Sequence, residues 1–331
     1  MSSRRAARRV RGRSPALIRS LPLDGTGGVG EESARGIFMS IPENMMDSFI
    51  SSENVKTIHV VVYGVHSQDW TNAFAPESEL WHSLPQVGQV SCIEADPGEL
   101  ERLMADSSLE VVAIPLMEEH ADRLPPRVAR FHPSRPVSDL LRNKRQTLDY
   151  AAAQGFGHWC PEVYAEVSQI RFPCIIKRVD LNASAGVDIA HSRRGLAARL
   201  GSALELPPDV VVQAFVYGSE EYATYLVMEE GEILWDATFC YEMEFSDVVR
   251  RPGTAPAQRV ATPGRILAQF RDFLVPLRYS GPCNVDYKIR PNGEAAIFEV
   301  NPRLGGSLMK HENLDLRREA VALILDRARC P

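Results

Sequence analysis

Residues 57–65 read TIHVVVYGV, a β-branched run with little polar interruption that stops at a glycine. A run this short, apolar toward both faces, predicts a buried strand of a parallel sheet. The pattern over 76–86 predicts a helix and 89–94 a second strand. Pro97–Ala105 predicts a short helix, and LEVVAIPL at 109–116 a third strand. Strands alternating with helices predict a small parallel α/β unit over residues 51–137. It contains no G-x-G-x-x-G, so no dinucleotide site is expected there.

Ser138–Gly155 predicts one helix. Arg145, Asp149 and Gln154 mark its polar side, Leu148, Tyr150 and Ala151–Ala153 supply apolar surface, and Gly155 and Gly157 end it. From Phe172 onward the period changes to antiparallel strands with turns. FPCIIKRVD and DVVVQAFV each predict a strand, and EYATYLVMEEGEILWDATF predicts two joined at Glu230-Gly231. Thr262–Pro276 predicts a helix, and CNVDYKIRPNGEAAIFEV a hairpin closed at Asn292-Gly293. No internal repeat is visible.

With 331 residues and 44% hydrophobic content, the chain can bury two or three compact units. A net charge of −6, with no basic face in the bulk of the chain, argues against a nucleic-acid partner. No stretch approaches the ~18 consecutive apolar residues of a membrane span, so a soluble protein is expected. Cys92, Cys160, Cys174, Cys240, Cys283 and Cys330 lack C-x-x-C spacing and fit reduced thiols in a cytoplasm, most of them acting as small buried hydrophobes. Residues 1–50 are expected not to fold. Arginines crowd Arg4–Arg19 and a Gly-rich run, Gly25–Gly30, follows. With no apolar segment behind the arginines, a secretory signal is not expected. A flexible extension, or a start codon placed too early with Met39, Met45 or Met46 as the true start, is preferred over a transit peptide or a nucleic-acid arm. Lysine is scarce, confined to Lys56, Lys144, Lys177, Lys288 and Lys310, so the position of each is informative.

The C-terminal hairpin carries the first candidate chemistry. Asp286 lies on its first strand; Glu299 and Asn301 lie two apart on its second and face one side. Pairing through the turn brings Asp286 across from them. Two carboxylates and an amide oxygen on one face suit Mg²⁺, which takes few protein ligands and completes its octahedron with water and phosphate. The plain alternative is a solvated polar face. Pro302-Arg303-Leu304-Gly305-Gly306-Ser307 follows: Arg303 offers a fork for carboxylate or phosphate, Gly305 and Gly306 let backbone N–H groups approach an anion, and Ser307 could cap a following helix.

Taken together, Asp286 and the run EVNPRLGGS at 299–307 resemble the metal and substrate segment of the ATP-grasp superfamily. The resemblance covers roughly residues 138–310. It implies that Lys144 and Lys177 face the nucleotide phosphates, and that the loop after Lys177 closes over them through Ser184 and Gly186. It implies that Gln213 and the backbone of Ala214, Phe215 and Val216 read the adenine edge. Gly218-Ser219-Glu220 resembles the G-x-E whose glutamate accepts from the ribose, with Glu221 the competing candidate. One of Arg250, Arg251 and Arg259 is expected at the transferred phosphoryl group or the acceptor, while His311 reads more readily as solvent-facing.

What the resemblance implies for fold is α/β and α+β: a small parallel α/β pre-ATP-grasp domain (51–137), then a two-lobed ATP-grasp fold with antiparallel sheets (138–216 and 217–331). For function it implies an ATP-dependent carboxylate-amine ligase with an acyl-phosphate intermediate. Magnesium, or manganese in its place, sits on Asp286, Glu299 and Asn301. Asn301 and Arg303 serve catalysis, and Arg303, Gly305, Gly306 and Ser307 bind substrate. Small-molecule carboxylate and amine substrates are the expected partners, with no nucleic acid and no membrane; a homodimer is the default assembly. About 25 residues follow the GGS run, leaving no room for a biotin-carboxylase C-terminal domain, and no second ATP-grasp half is present, as a carbamoyl-phosphate synthase large chain would need. An amino-acid or dipeptide-type ligase is preferred, by analogy. A phosphotransferase and a nucleotide-binding module without turnover are the rivals; the retained Asp286, Glu299 and Asn301 argue against the second.

Overall fold

Every residue of β1 (Ile58–Tyr63) is buried, as its unbroken apolar run requires. In the computed structural model, which describes residues 57–128, 130–179, 186–201, 205–251, 254 and 258–329, β1 is the middle of a parallel sheet in the order β2-β1-β3. The N-terminal extension expected over 1–50 lies outside the described residues. Between β1 and β2 (Val87–Ile93) run α1 (Gln68–Phe74) and α2 (Glu79–His82). The helix expected over 76–86 shrinks to the four residues of α2. Ser78 caps it by accepting from the Leu80 N–H, and Pro85 denies helical backbone to the residue before it. After β2, α3 (Pro97–Asp106) starts behind Asp96, whose carboxylate accepts from the Glu99 N–H. β3 (Glu110–Pro115) and the short α4 (Glu118–Ala121) follow.

The single helix expected over 138–155 is broken. α5 (Arg135–Arg142) and α6 (Lys144–Ala153) meet at Asn143, whose ψ of 110° is not helical. The Asn143 side chain accepts from the N–H groups of Arg145 (3.0 Å) and Gln146 (3.1 Å). Asparagine stabilises a helix better as an N-cap than within it, and the break places Lys144 at the first position of α6.

A second, antiparallel sheet has the order β5-β4-β6, from β4 (Cys174–Arg178), β5 (Val187–Ala190) and β6 (Val210–Ala214), with α7 (Arg193–Leu200) packed on it through Leu196. The third sheet is antiparallel in the order β11-β10-β7-β8-β9. β7 (Glu220–Glu229) and β8 (Glu232–Glu242) turn at Glu230-Gly231, both with positive φ (51° and 90°), a pairing that matches strand twist. β9 (Gln258–Val260) and α8 (Gly264–Leu274) precede β10 (Gly281–Ile289) and β11 (Ala295–Asn301). The last hairpin closes through Pro291-Asn292-Gly293 rather than a two-residue turn: the Gly293 N–H donates to the Arg290 carbonyl (2.7 Å), and only Gly293 has positive φ. Pro291 presets the first turn position and leaves the left-handed residue to glycine.

Both faces of the large sheet are covered. Tyr287, Val285 and Leu226 pack against Ile266, Phe270 and Phe273 of α8. Ala223, Tyr225, Val227 and Phe239, on the other face, share a core with the β1 sheet and with α9 (Leu314–Ala328) through Leu316, Val321 and Ile324. Neither α1 nor α7 is expected from the sequence pattern; a helix is expected directly behind Ser307, whereas α9 begins at Leu314. No helix among the described residues is long and apolar enough to cross a membrane.

Removing the cap in Asn143→Ala should lower stability by about 1 kcal/mol. Urea unfolding of the variant checks this, with an unchanged slope expected.

Candidate active site

Register on the large sheet decides which side chains meet. Asp286 pairs with Glu299 and Asn284 with Asn301, so these four oxygen-bearing side chains occupy one face of β10 and β11. Between Asp286 and Tyr287 the register shifts and Phe298 is bulged out. Its carbonyl accepts from Lys177 Nζ at 3.4 Å, and its ring lies 5.4 Å from the same ammonium. On β7, Ala223 pairs with Asp286, so alternation puts Glu221 on the same face beside Lys288. Glu220 falls on the opposite face, is exposed, and accepts from the Tyr222 hydroxyl.

Against this face stand Lys177 of β4 and Lys144 of α6. A cleft open to solvent lies between this face and β4. Ile175, Lys177 and Gln213–Val216 line one side of it; Glu221, Arg250, Asp286, Lys288 and Glu299 line the other. Lys144 Nζ lies 3.4 Å from Glu299 Oε1. Arg250 bridges two carboxylates, Nε to Glu221 Oε1 at 3.0 Å and Nη2 to Asp286 Oδ1 at 2.7 Å, with its guanidinium 4.1 Å from the Tyr241 ring centre. Lys288 Nζ donates to the carbonyls of Val216 (3.2 Å) and Gly218 (2.8 Å) and so ties β10 to the segment between β6 and β7.

Burial sets the titration of these groups. It lowers the Lys177 pKa, with Glu299 pulling the other way, and lowers that of Lys288, opposed by Glu221. It raises Glu221 despite the pull of Arg250. At Arg250 burial favours the neutral form, but Asp286 and Glu221 together outweigh it and hold the guanidinium above its usual range.

Beyond Asn301 the chain turns back toward the β1 sheet. Arg303 Nε lies 3.3 Å from Oε1 of Glu118, which is 1% exposed, and Nη1 donates to the Leu304 carbonyl (3.0 Å). Burial raises the Glu118 pKa against the pull of Arg303. Glu118 Oε2 and His120 Nδ1 are buried without a hydrogen-bond partner among the described residues. Gly305 lies against Tyr225: a Cβ there would fall 1.9 Å from the ring. The Tyr225 hydroxyl accepts from the Ser307 N–H (3.2 Å), and Ser307 Oγ bonds the Tyr241 hydroxyl. Ser307 therefore does not cap a helix; it sits in a 3₁₀ turn, and α9 begins at Leu314.

The structure thus brings Lys144, Lys177, Gln213–Val216, Glu221, Asp286 and Glu299 to one cleft, with Asn301 on the same sheet face. The Gln213 amide donates to the Pro161 carbonyl (3.3 Å), and the Ala214 N–H to the Glu162 carbonyl (2.8 Å), so both donors are committed within the protein. Gly186, at φ 68°, directly precedes the cleft-lining Val187, while Ser184 lies outside the described residues. Of the three arginines, Arg250 is in the cleft and Arg251 and Arg259 are exposed, as is His311. Glu118, Tyr225 and Tyr241 were not singled out by the sequence reading. Glu118 alone left a trace: it follows the carboxyl end of a parallel strand, where α/β sheets place their ligand-facing loops.

The family described as carbamoyl-phosphate synthase L chain, ATP binding domain, matches residues 139–310, just over half of the chain. A carbamoyl phosphate synthase large chain from Pseudomonas aeruginosa is 26% identical over 166 residues, 46% of this chain and 15% of that one. A D-alanine–D-alanine ligase from Anaeromyxobacter sp. is 30% identical over 137 residues, 39% of this chain and 43% of that one. The match therefore spans less than half of either relative. The crystal structure of an L-amino acid ligase from Bacillus licheniformis superposes with a TM-score of 0.56 at 15% identity, covering 82% of this chain and 74% of that one. This likeness bears out the ATP-grasp fold expected from the sequence, a parallel three-stranded sheet followed by antiparallel sheets.

Contacts at the two glycines predict opposite outcomes. Gly305→Ala must displace the buried Tyr225 ring and should cost about 1–3 kcal/mol. At Gly306 an added Cβ meets nothing within 4 Å, so Gly306→Ala should change stability by no more than about 0.5 kcal/mol. Parallel urea titrations of the two variants measure the contrast.

Proposed function

Because the chain belongs to the family of the carbamoyl-phosphate synthase L chain ATP-binding domain, we propose that it is an ATP-dependent ligase joining a carboxylate to an amine through an acyl-phosphate, with release of ADP and phosphate. The observation that carries the proposal is the cleft in which Asp286 and Glu299, paired across β10 and β11, face Lys144 and Lys177. It combines oxygen donors for a cation with cations for a polyphosphate. The named activities of the D-alanine–D-alanine ligase and the L-amino acid ligase favour an amino-acid or dipeptide-type substrate. The reading keeps residues 51–137 as the preceding domain and 138–216 and 217–331 as the two lobes that hold the nucleotide.

In this reading Lys144 and Lys177 bind the phosphates as point charges. Both ammoniums are almost out of water, and a polyanion adds to the counter-charge that Glu299 gives them. The adenine edge runs along Gln213–Val216. Glu221, which stands on the cleft wall where Glu220 does not, accepts from the ribose hydroxyls.

Asp286, Glu299 and Asn301 would hold Mg²⁺. Two carboxylates and amide oxygens are the donor set of this reading; among the described residues no cluster of three or more His, Cys, Asp or Glu side chains could hold a metal ion. An all-oxygen set fits a hard cation that keeps several waters. Asn284 Oδ1, buried beside it without a hydrogen-bond partner, is a further oxygen in want of a donor or a cation. When bound, the ion neutralises phosphate charge during phosphoryl transfer. Arg303, anchored through Nε and Nη1, keeps Nη2 for the substrate carboxylate. Backbone N–H groups near Gly305 and Gly306 serve the oxyanion formed when the amine attacks the acyl-phosphate. The walls of the cleft keep water from competing with the amine.

Incubation with ATP, Mg²⁺, pooled amino acids and small carboxylates should give amine-dependent release of ADP and phosphate with a new amide mass. Release of AMP and pyrophosphate would overturn the acyl-phosphate route. Glu299→Gln and Asp286→Asn should each abolish turnover while circular dichroism stays native. Lys177→Ala should weaken ATP binding on the order of 10- to 100-fold, the loss of one charge-assisted contact.

A further inference from the structure

Arg250 holds together two carboxylates that the proposed function assigns to different parts of the ligand. In that reading Asp286 belongs to the metal site and Glu221 to the ribose site, yet one guanidinium pairs with both. The segment carrying it is anchored to the β6–β7 connection by two backbone hydrogen bonds, Met243 N–H to Ser219 (2.7 Å) and Gly218 N–H to Ser246 (3.1 Å). The guanidinium rests face-on over Tyr241, a contact that does not depend on which anion the fork addresses.

We propose that Arg250 serves as the counter-cation of Asp286 when no ligand is bound, gives way there to the divalent ion, and passes to the nucleotide phosphates when metal and nucleotide bind together. The proposal rests on the metal and nucleotide reading above. Its physical basis is charge pairing. Asp286 and Glu221 lie on one largely buried sheet face, and Arg250 is the cation that bonds both. A metal ion arriving alone must part Arg250 from Asp286 and leave it paired with Glu221 only. Arriving with a polyphosphate, it brings the anion that receives the arginine. Metal and nucleotide therefore raise each other's affinity by the same factor, and Arg250 is a source of that coupling.

The test measures Mn²⁺ binding by the full chain from the loss of the free-ion paramagnetic resonance signal, with and without ADP. Wild type should bind Mn²⁺ weakly alone and more tightly with ADP. Arg250→Met should bind Mn²⁺ alone at least about tenfold more tightly than wild type, and ADP should then add less than it does in wild type. Adding Asp286→Asn to the variant should abolish the gain. Arg250→Gln loses the charge but keeps amide donors for the two carboxylates; it gives the same readout should Arg250→Met fail to fold. Mn²⁺ affinity equal to wild type in the folded charge-loss variant, with ADP still strengthening Mn²⁺ binding in wild type, would overturn the counter-cation role and leave the metal site standing. No Mn²⁺ binding by any form, with or without ADP, would remove the metal reading and this proposal with it.

Discussion

Lys177, Lys288 and Glu221 line a single cleft, Lys144 meets its Glu299 and Asn301 shares its sheet face, and all five are less than a tenth exposed. So many charges can leave water only if each finds an opposite charge or a fixed dipole. The fold supplies these from different elements. Glu299 on β11 meets Lys144 at the start of α6, the Phe298 carbonyl meets Lys177 on β4, and the carbonyls between β6 and β7 meet Lys288 on β10. Two local irregularities make this matching possible. The bulge at Phe298 turns a carbonyl toward a lysine, and the break at Asn143 sets Lys144 at a helix start. Regularising either would leave an ammonium facing fewer partners.

How much of this was readable in one sequence follows from where each constraint resides. The strands of the parallel sheet, the Glu230-Gly231 turn and the face shared by Asp286, Glu299 and Asn301 are set by neighbours a few residues apart, and period and turn chemistry expose them. The break at Asn143 was also local, but an asparagine amid good helix formers reads as a tolerated interior residue unless its capping role is weighed. Glu220 against Glu221 needed strand register, and register on β7 is fixed by β10, some sixty residues away. Arg250 could not be separated from Arg251 and Arg259 because only the folded cleft distinguishes a buried arginine from exposed ones. The short α1 lacked enough turns to show a period. The buried apolar positions of α9, Leu316, Ala320, Val321, Ile324, Leu325 and Ala328, do keep helical spacing, but Ala322 and Leu323 turn 320–325 into one continuous apolar run that hides the period.

The N-terminal α/β layer is part of the site's construction. Glu118 follows β3 and is buried on the side from which Arg303 reaches, and Arg303 comes two residues after Asn301. A carboxylate at 1% exposure with one cationic partner holds that partner firmly, since separation would leave both charges in a low-dielectric interior. The β1 sheet thus orients the loop that follows β11. It does so a second time through the core, where Leu304, Leu308 and Met309 from that loop pack with β1, β3 and α9. The loop is accordingly referenced to the N-terminal sheet, while Lys144 and Lys177 are referenced to α6 and β4. Forming the complete charge constellation requires both sets of elements in place, and groups positioned by separate elements can be assembled or parted without unfolding any one of them.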